Sequence, residues 1–148
     1  MVTPATPLLA QQLRKQVRYG LSPDSPALIN EWLAIDRCCY QGFYHGVCST
    51  CCIKEQQSYL ELQFRCLLEA VLDELVPLQW RCTCLDHIYK PLFNLKKICN
   101  DDDSKQRLQT MFSELALMSS YFNASLTGLI SQQSAASETD NILENLRK

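Results

Sequence analysis

Seven apolar residues, Leu60, Phe64, Leu67, Leu68, Val71, Leu72 and Leu75, recur three and four positions apart, and Pro77 closes the run. That spacing gathers them on one side of an α-helix but scatters them over both faces of a strand, so they mark a long amphipathic helix. The proline stops it because it lacks the backbone N–H and its ring clashes with the preceding turn. The rest of the chain follows the same pattern, with four glycines in 148 residues. Leu8, Leu9, Leu13 and Val17 mark a first helix, with Thr6 as cap and Gly20 as stop. Ser25 caps a second helix with Pro26 at its first position; Leu28, Ile29, Trp32, Leu33 and Ile35 form its apolar face, and it ends near Cys38 to Tyr40. A short helix runs from about Leu85 to Cys99, kinked or restarted at Pro91. The polar run from Asn100 to Ser104 then caps a last long helix carrying Leu108, Met111, Phe112, Leu115, Met118, Phe122, Leu126, Leu129 and Ile130. Its methionine and aromatic stripe reads as core. The expected architecture is all-α, a compact bundle of about five helices in one domain over residues 1–130. A flexible or short-helix tail is expected over 131–148.

All nine cysteines lie between Cys38 and Cys99, and both histidines fall in their tightest clusters. These read His45-Gly-Val-Cys48-Ser-Thr-Cys51-Cys52 and Cys82-Thr-Cys84-Leu-Asp-His87. The first residues, from Met1 to Pro7, lack the charged and apolar regions of a secretory signal. The expected compartment is therefore the cytoplasm or nucleus, where such spacing means metal rather than disulfide. Thiolate and imidazole are the ligands zinc takes four at a time in a structural site. A Cys-x-Cys pair does not share one helix face, so Cys82 and Cys84 are expected in a turn, in a knuckle over 80–87. His87 then comes round from the next helix. The fourth ligand comes from the surplus of Cys38, Cys39, His45, Cys48, Cys51 and Cys52, in an irregular knuckle over 41–52. One or two Zn2+ ions would staple the bundle across its long helix, where closing a loop stabilises most. Cys66 and Cys99 sit in apolar helical patterns and read as core thiols.

A net charge of -2, with no basic cluster beyond Arg14, Lys15 and Arg18, argues against nucleic acid as a partner. No run of 18 apolar residues marks a membrane span. The chain has no phosphate-cradling glycine loop, no His-Glu-x-x-His and no Ser-His-Asp order, so an enzyme is not expected.

The segment Val76-Pro-Leu-Gln-Trp80-Arg-Cys82-Thr-Cys84-Leu-Asp-His87-Ile-Tyr-Lys-Pro-Leu-Phe93 resembles the cysteine-rich zinc domain of polyomavirus small t antigens. With the His45-x-x-Cys48-x-x-Cys51 cluster, the resemblance covers about residues 38–93. It implies one zinc held by Cys48, Cys82, Cys84 and His87, with His87 where the family has cysteine. It implies a second zinc on Cys38 and Cys51, completed by His45, Cys39 or Cys52. It also implies a host phosphatase scaffold as partner, met by the surface around Trp80 and Tyr89. A second segment, Leu62-Gln-Phe-Arg-Cys66-Leu-Leu-Glu-Ala70, resembles the elongin-binding box of cullin ubiquitin-ligase receptors. Leu62, Cys66 and Ala70, with Tyr59, form a second stripe on the long helix, either buried on its own side or offered to a partner. The expected function is a non-enzymatic, zinc-stabilised regulatory adaptor of viral accessory type that binds host proteins. The alternatives are a receptor recruiting an elongin–cullin ligase, or a self-assembling module whose last helix pairs with its copy as a homo-oligomer.

Overall fold

The computed structural model describes the backbone of residues 5–42 and 49–146, and the side chains of 8–38 and 53–128. Among the described residues every regular element is an α-helix: α1 (Ala5–Tyr19), α2 (Ala27–Gly42), α3 (Ser49–Leu72), α4 (Leu78–His87), α5 (Tyr89–Ile98) and α6 (Asp102–Leu146). The all-helical class is as expected. Two compact units divide at α6, Met1–Glu114 and Leu115–Lys148, the second being the continuation of that helix.

In the first unit α3 is the central helix, touched by α1, α2, α4 and α5. Leu60, Phe64, Leu67 and Val71 are buried as their spacing requires. The second stripe is largely buried too, with Cys66 and Ala70 both in the core. At about 100° per residue, Cys66, Glu69 and Asp73 lie on the side of α3 that meets α1, and Gln57, which bonds the Ile98 carbonyl, lies roughly opposite. Gln63 points to α2, where its amide donates to Asp36 at 2.7 Å. Both members of that pair are buried. Burial pushes the Asp36 carboxyl above its ordinary value, opposed by the Gln63 amide and the Arg14 charge.

α1 stops where Gly20 takes a left-handed φ of 59°. Leu21 N–H reaches back to Gln16 O at 3.1 Å and Gly20 N–H to Val17 O at 3.4 Å, the paired bonds of a Schellman ending. Arg18, in its last turn, bridges to Glu69 (3.2 Å) and Asp73 (2.9 Å) at the end of α3. Helix α1 is already under way at Thr6, so it opens earlier than a cap at Thr6 implies.

Three local readings need correction. Leu75 is 94% exposed. α3 ends at Leu72, and Asp73 makes a turn there by accepting Leu75 N–H at its Oδ1 (3.0 Å) and Val76 N–H at its carbonyl (3.1 Å). Local side-chain bonding by Asp thus overrides the last apolar repeat before Pro77. Next, the expected knuckle over 80–87 is part of the helix α4, and of the irregular stretch expected over 41–52, residues 41–42 belong to α2 and 49–52 to α3. Finally, α6 runs past Ile130 to Leu146, because residues 131–146 contain no proline or glycine to break it. Pro91 does restart the chain: it stands in the first turn of α5, where its missing N–H has no helical acceptor, and α4 has ended at His87.

Candidate partner-binding surface

α4 carries the residues singled out for metal. Trp80, Cys84 and Ile88, four apart, are all fully buried and form its inward edge. The Trp80 indole N–H donates to Val17 O at 2.8 Å, and Arg81 Nε donates to Val71 O at 2.7 Å. Two α4 side chains thereby reach the carbonyl ends of α1 and α3, the indole adding a second donor to Val17 O beside Gly20 N–H. Trp80, expected at a partner surface, is therefore a core residue. Its flat ring fills the space left by Gly20, where an added Cβ would lie 3.0 Å from Trp80 Cδ1.

Cys82 and Cys84, two apart on a helix, leave it about 200° from one another. Cys84 enters the core and Cys82 stays half-buried. Burial pushes the Cys84 and Cys66 thiols up to about 12, the protonated form a core thiol takes. His87 Nδ1–H donates to Thr83 O at 2.8 Å, within its own helix. Cys82 and Cys84 thus leave α4 in different directions, and the His87 ring is held within its own helix. Among the described residues no group of three or more His, Cys, Asp or Glu side chains is gathered for a metal. Cys38 is exposed on α2. His45 and Cys48 lie outside the described residues, and Cys51 is in the first turn of α3 with its side chain outside them.

The elongin-box stripe divides. Cys66 and Ala70 face inward, and Cys66 Sγ lies 3.9 Å from the Arg14 carbonyl of α1. Tyr59 is half-buried. Leu62 is exposed, at 42%. Of these three residues Leu62 alone is open to solvent, and α1 stands over Cys66.

Tyr89 and Phe93, by contrast, stand on the outer face of α5. Their rings stack at 6.3 Å between centroids and 28° between planes, with 43% and 54% of each residue exposed. Pro91, Leu92 and Leu95 anchor the other face of α5 in the core. Lys96 and Lys97 continue the outer stripe and also suit the negative end of the helix dipole. Lys90, beside them, bonds the Asn30 amide oxygen of α2. The sequence reading took the stretch from Trp80 to Phe93 as a contact surface and singled out Trp80 and Tyr89; the four-residue spacing of Tyr89 and Phe93, with lysines a turn further on, pairs Tyr89 with Phe93 instead.

No family model, no curated protein and no solved structure matches the chain.

Proposed function

We propose that this chain is a non-enzymatic helical adaptor that binds a regulatory protein through the outer face of α5. The stacked Tyr89–Phe93 pair carries the reading. Single exposed apolar residues are ordinary on any surface. Two stacked aromatics fixed by a buried opposite face are the rigid, low-entropy anchors on which interfaces concentrate their energy. Lysines flanking them suit a partner with an acidic rim. The phosphatase scaffold implied by the small t resemblance is the first partner to test, in the cytosol or nucleus. No described helix is long and apolar enough to cross a membrane.

A titration of the full chain against purified phosphatase scaffold tests this. Micromolar binding lost in Tyr89→Ala with Phe93→Ala, at an unchanged unfolding midpoint, supports it. No binding by the parent at micromolar concentration removes that partner. Binding to elongin that survives both changes would move the adaptor surface to α3. A structural zinc belongs to this reading with ligands drawn from Cys38, His45, Cys48 and Cys51, since α4 directs Cys82 and Cys84 apart.

A further inference from the structure

A second surface lies on the other side of α3. α1 and α3 leave between them an open groove of about 540 Å³. Cys66, only 7% exposed, forms its floor, and Leu62 (42% exposed) and Tyr19 (51%) stand at its mouth. Arg14, Lys15, Arg18 and Arg65 line it, against one carboxylate, Glu69. On a chain whose net charge is -2 this lining is of opposite sign. The four cations are not equivalent. Arg18 is spent on Glu69 and Asp73, and Arg65 on Glu114. Arg14 and Lys15 have no ion pair among the described residues.

The groove continues beyond the ridge made by Leu62 and Arg65. On its far side a second depression of about 670 Å³ runs between α3 and the first turns of α6, reaching Arg107 and Met111. Exposed leucine on a ridge with a furrow on each side is the relief into which the side-chain ridges of another helix pack. Apolar anchors at helical spacing fill such a furrow, and acidic side chains flanking them meet the rim.

We infer that the α1–α3 groove docks an acidic amphipathic helix of a partner protein, its apolar face on Leu62 and Tyr19 and its carboxylates on Arg14 and Lys15. The occupant is acidic because the unpaired groups of the groove are cations. It is amphipathic because the mouth is leucine and tyrosine rather than a bare basic track. At about 100° per residue Leu62 lies some 140° round α3 from Gln57, which faces α5, so this site is separate from the Tyr89–Phe93 face. A chain with both surfaces can hold two proteins at once.

The experiment is a fluorescence titration of the full chain with a labelled 18-residue peptide. The peptide has leucine at positions i, i+3, i+4 and i+7 of each repeat and glutamate on the flanks. The expected result is saturable micromolar binding, weakened at least tenfold by Leu62→Ser and by Arg14→Glu with Lys15→Glu, and unchanged by Tyr89→Ala. A scrambled peptide of the same composition should bind at least tenfold more weakly. Thermal unfolding of each variant within a few degrees of the parent confirms that the substitutions, including those at half-buried Arg14, leave the fold in place. Equal binding of the scrambled peptide, or tighter binding of a single-stranded oligonucleotide of equal charge, would overturn the inference in favour of charge alone. Binding indifferent to Leu62 and Arg14 would overturn the location, and no saturation by several hundred micromolar would overturn the site.

Discussion

Gly20→Ala is the sharpest test of how the first unit is assembled. Two separate costs fall on the one methyl group. A φ of 59° is open to glycine but costs an L-residue about 1–2 kcal/mol. The added Cβ would also stand 2.9 Å from Val76 Cγ1, 3.0 Å from Trp80 Cδ1 and 3.3 Å from Pro77 Cδ. None of these neighbours is the far end of a flexible chain. Trp80 is fixed by its bond to Val17 O, and Pro77 by its ring. Overpacking of this kind costs about 1–3 kcal/mol. The sum is roughly 2–5 kcal/mol, a large part of the 5–15 kcal/mol by which domains are ordinarily stable. Urea unfolding followed by tryptophan fluorescence reads it directly, because Trp32 and Trp80 are both buried. A companion cycle with Val76→Ala, which removes the nearest atom, should lower the cost of Gly20→Ala by about 1 kcal/mol. A cost of Gly20→Ala under about 1 kcal/mol would refute the close approach of α1 to the α3–α4 turn.

Other perturbations separate the roles of neighbouring residues. Trp80→Phe should cost roughly 1 kcal/mol more than Trp32→Phe in the same urea titration. The first forfeits the indole bond to Val17 O, whereas the Trp32 indole N–H has no partner among the described residues to lose. Asp36→Asn should stabilise the chain at pH 7 and the gain should vanish near pH 3. A carboxyl whose folded pKa is raised gives stability that is present below its unfolded value, 3.8, and lost as pH rises through the folded one. A gain that persists at pH 3 would assign the effect to packing. The bond from Arg18, then that from Leu75 N–H, holds the Asp73 carboxyl below its ordinary value. Its contribution is present above 3.8 and lost as pH falls through its folded pKa, so Asp73→Asn should flatten the acid limb of a stability–pH profile. Cys82→Ser should leave the zinc content of purified, reduced protein unchanged by elemental analysis, since Cys82 and Cys84 diverge; loss of stoichiometric zinc would refute the helical register of α4.

How legible this was depended on which residues decide each element. Helix α3 was plain because six apolar residues repeat within it, yet the same periodicity carried on to Leu75, beyond the point where a single aspartate bonding its own neighbours ends the helix. Helix α4 was hidden. Of its ten residues only Trp80 and Cys84 are buried, so its faces contrast weakly, and Cys-Thr-Cys drew attention as ligand spacing. The pattern that identifies it is Trp80, Cys84 and Ile88 at intervals of four. The ends of helices read well wherever the backbone itself dictated them, at Gly20 and at Pro91. The surfaces read least well, because exposure depends on which neighbours arrive. Leu62, Cys66 and Ala70 form one stripe in sequence, but α1 covers only part of it, and the groove beside Leu62 belongs to two helices whose hydrogen bonds span 51 to 55 residues.

The capping of α1 and α3 by Trp80 and Arg81 sets an order on synthesis. While the ribosome has made only the first three helices, Val17 O lacks its indole and Val71 O lacks its guanidinium. The segment that supplies both is the next to leave the exit tunnel. A fragment ending before residue 78 therefore lacks the side chains that reach the ends of two of these helices. Any truncation, fusion or expression boundary meant to preserve this core has to lie beyond Glu114, past the turns of α6 that belong to the same unit.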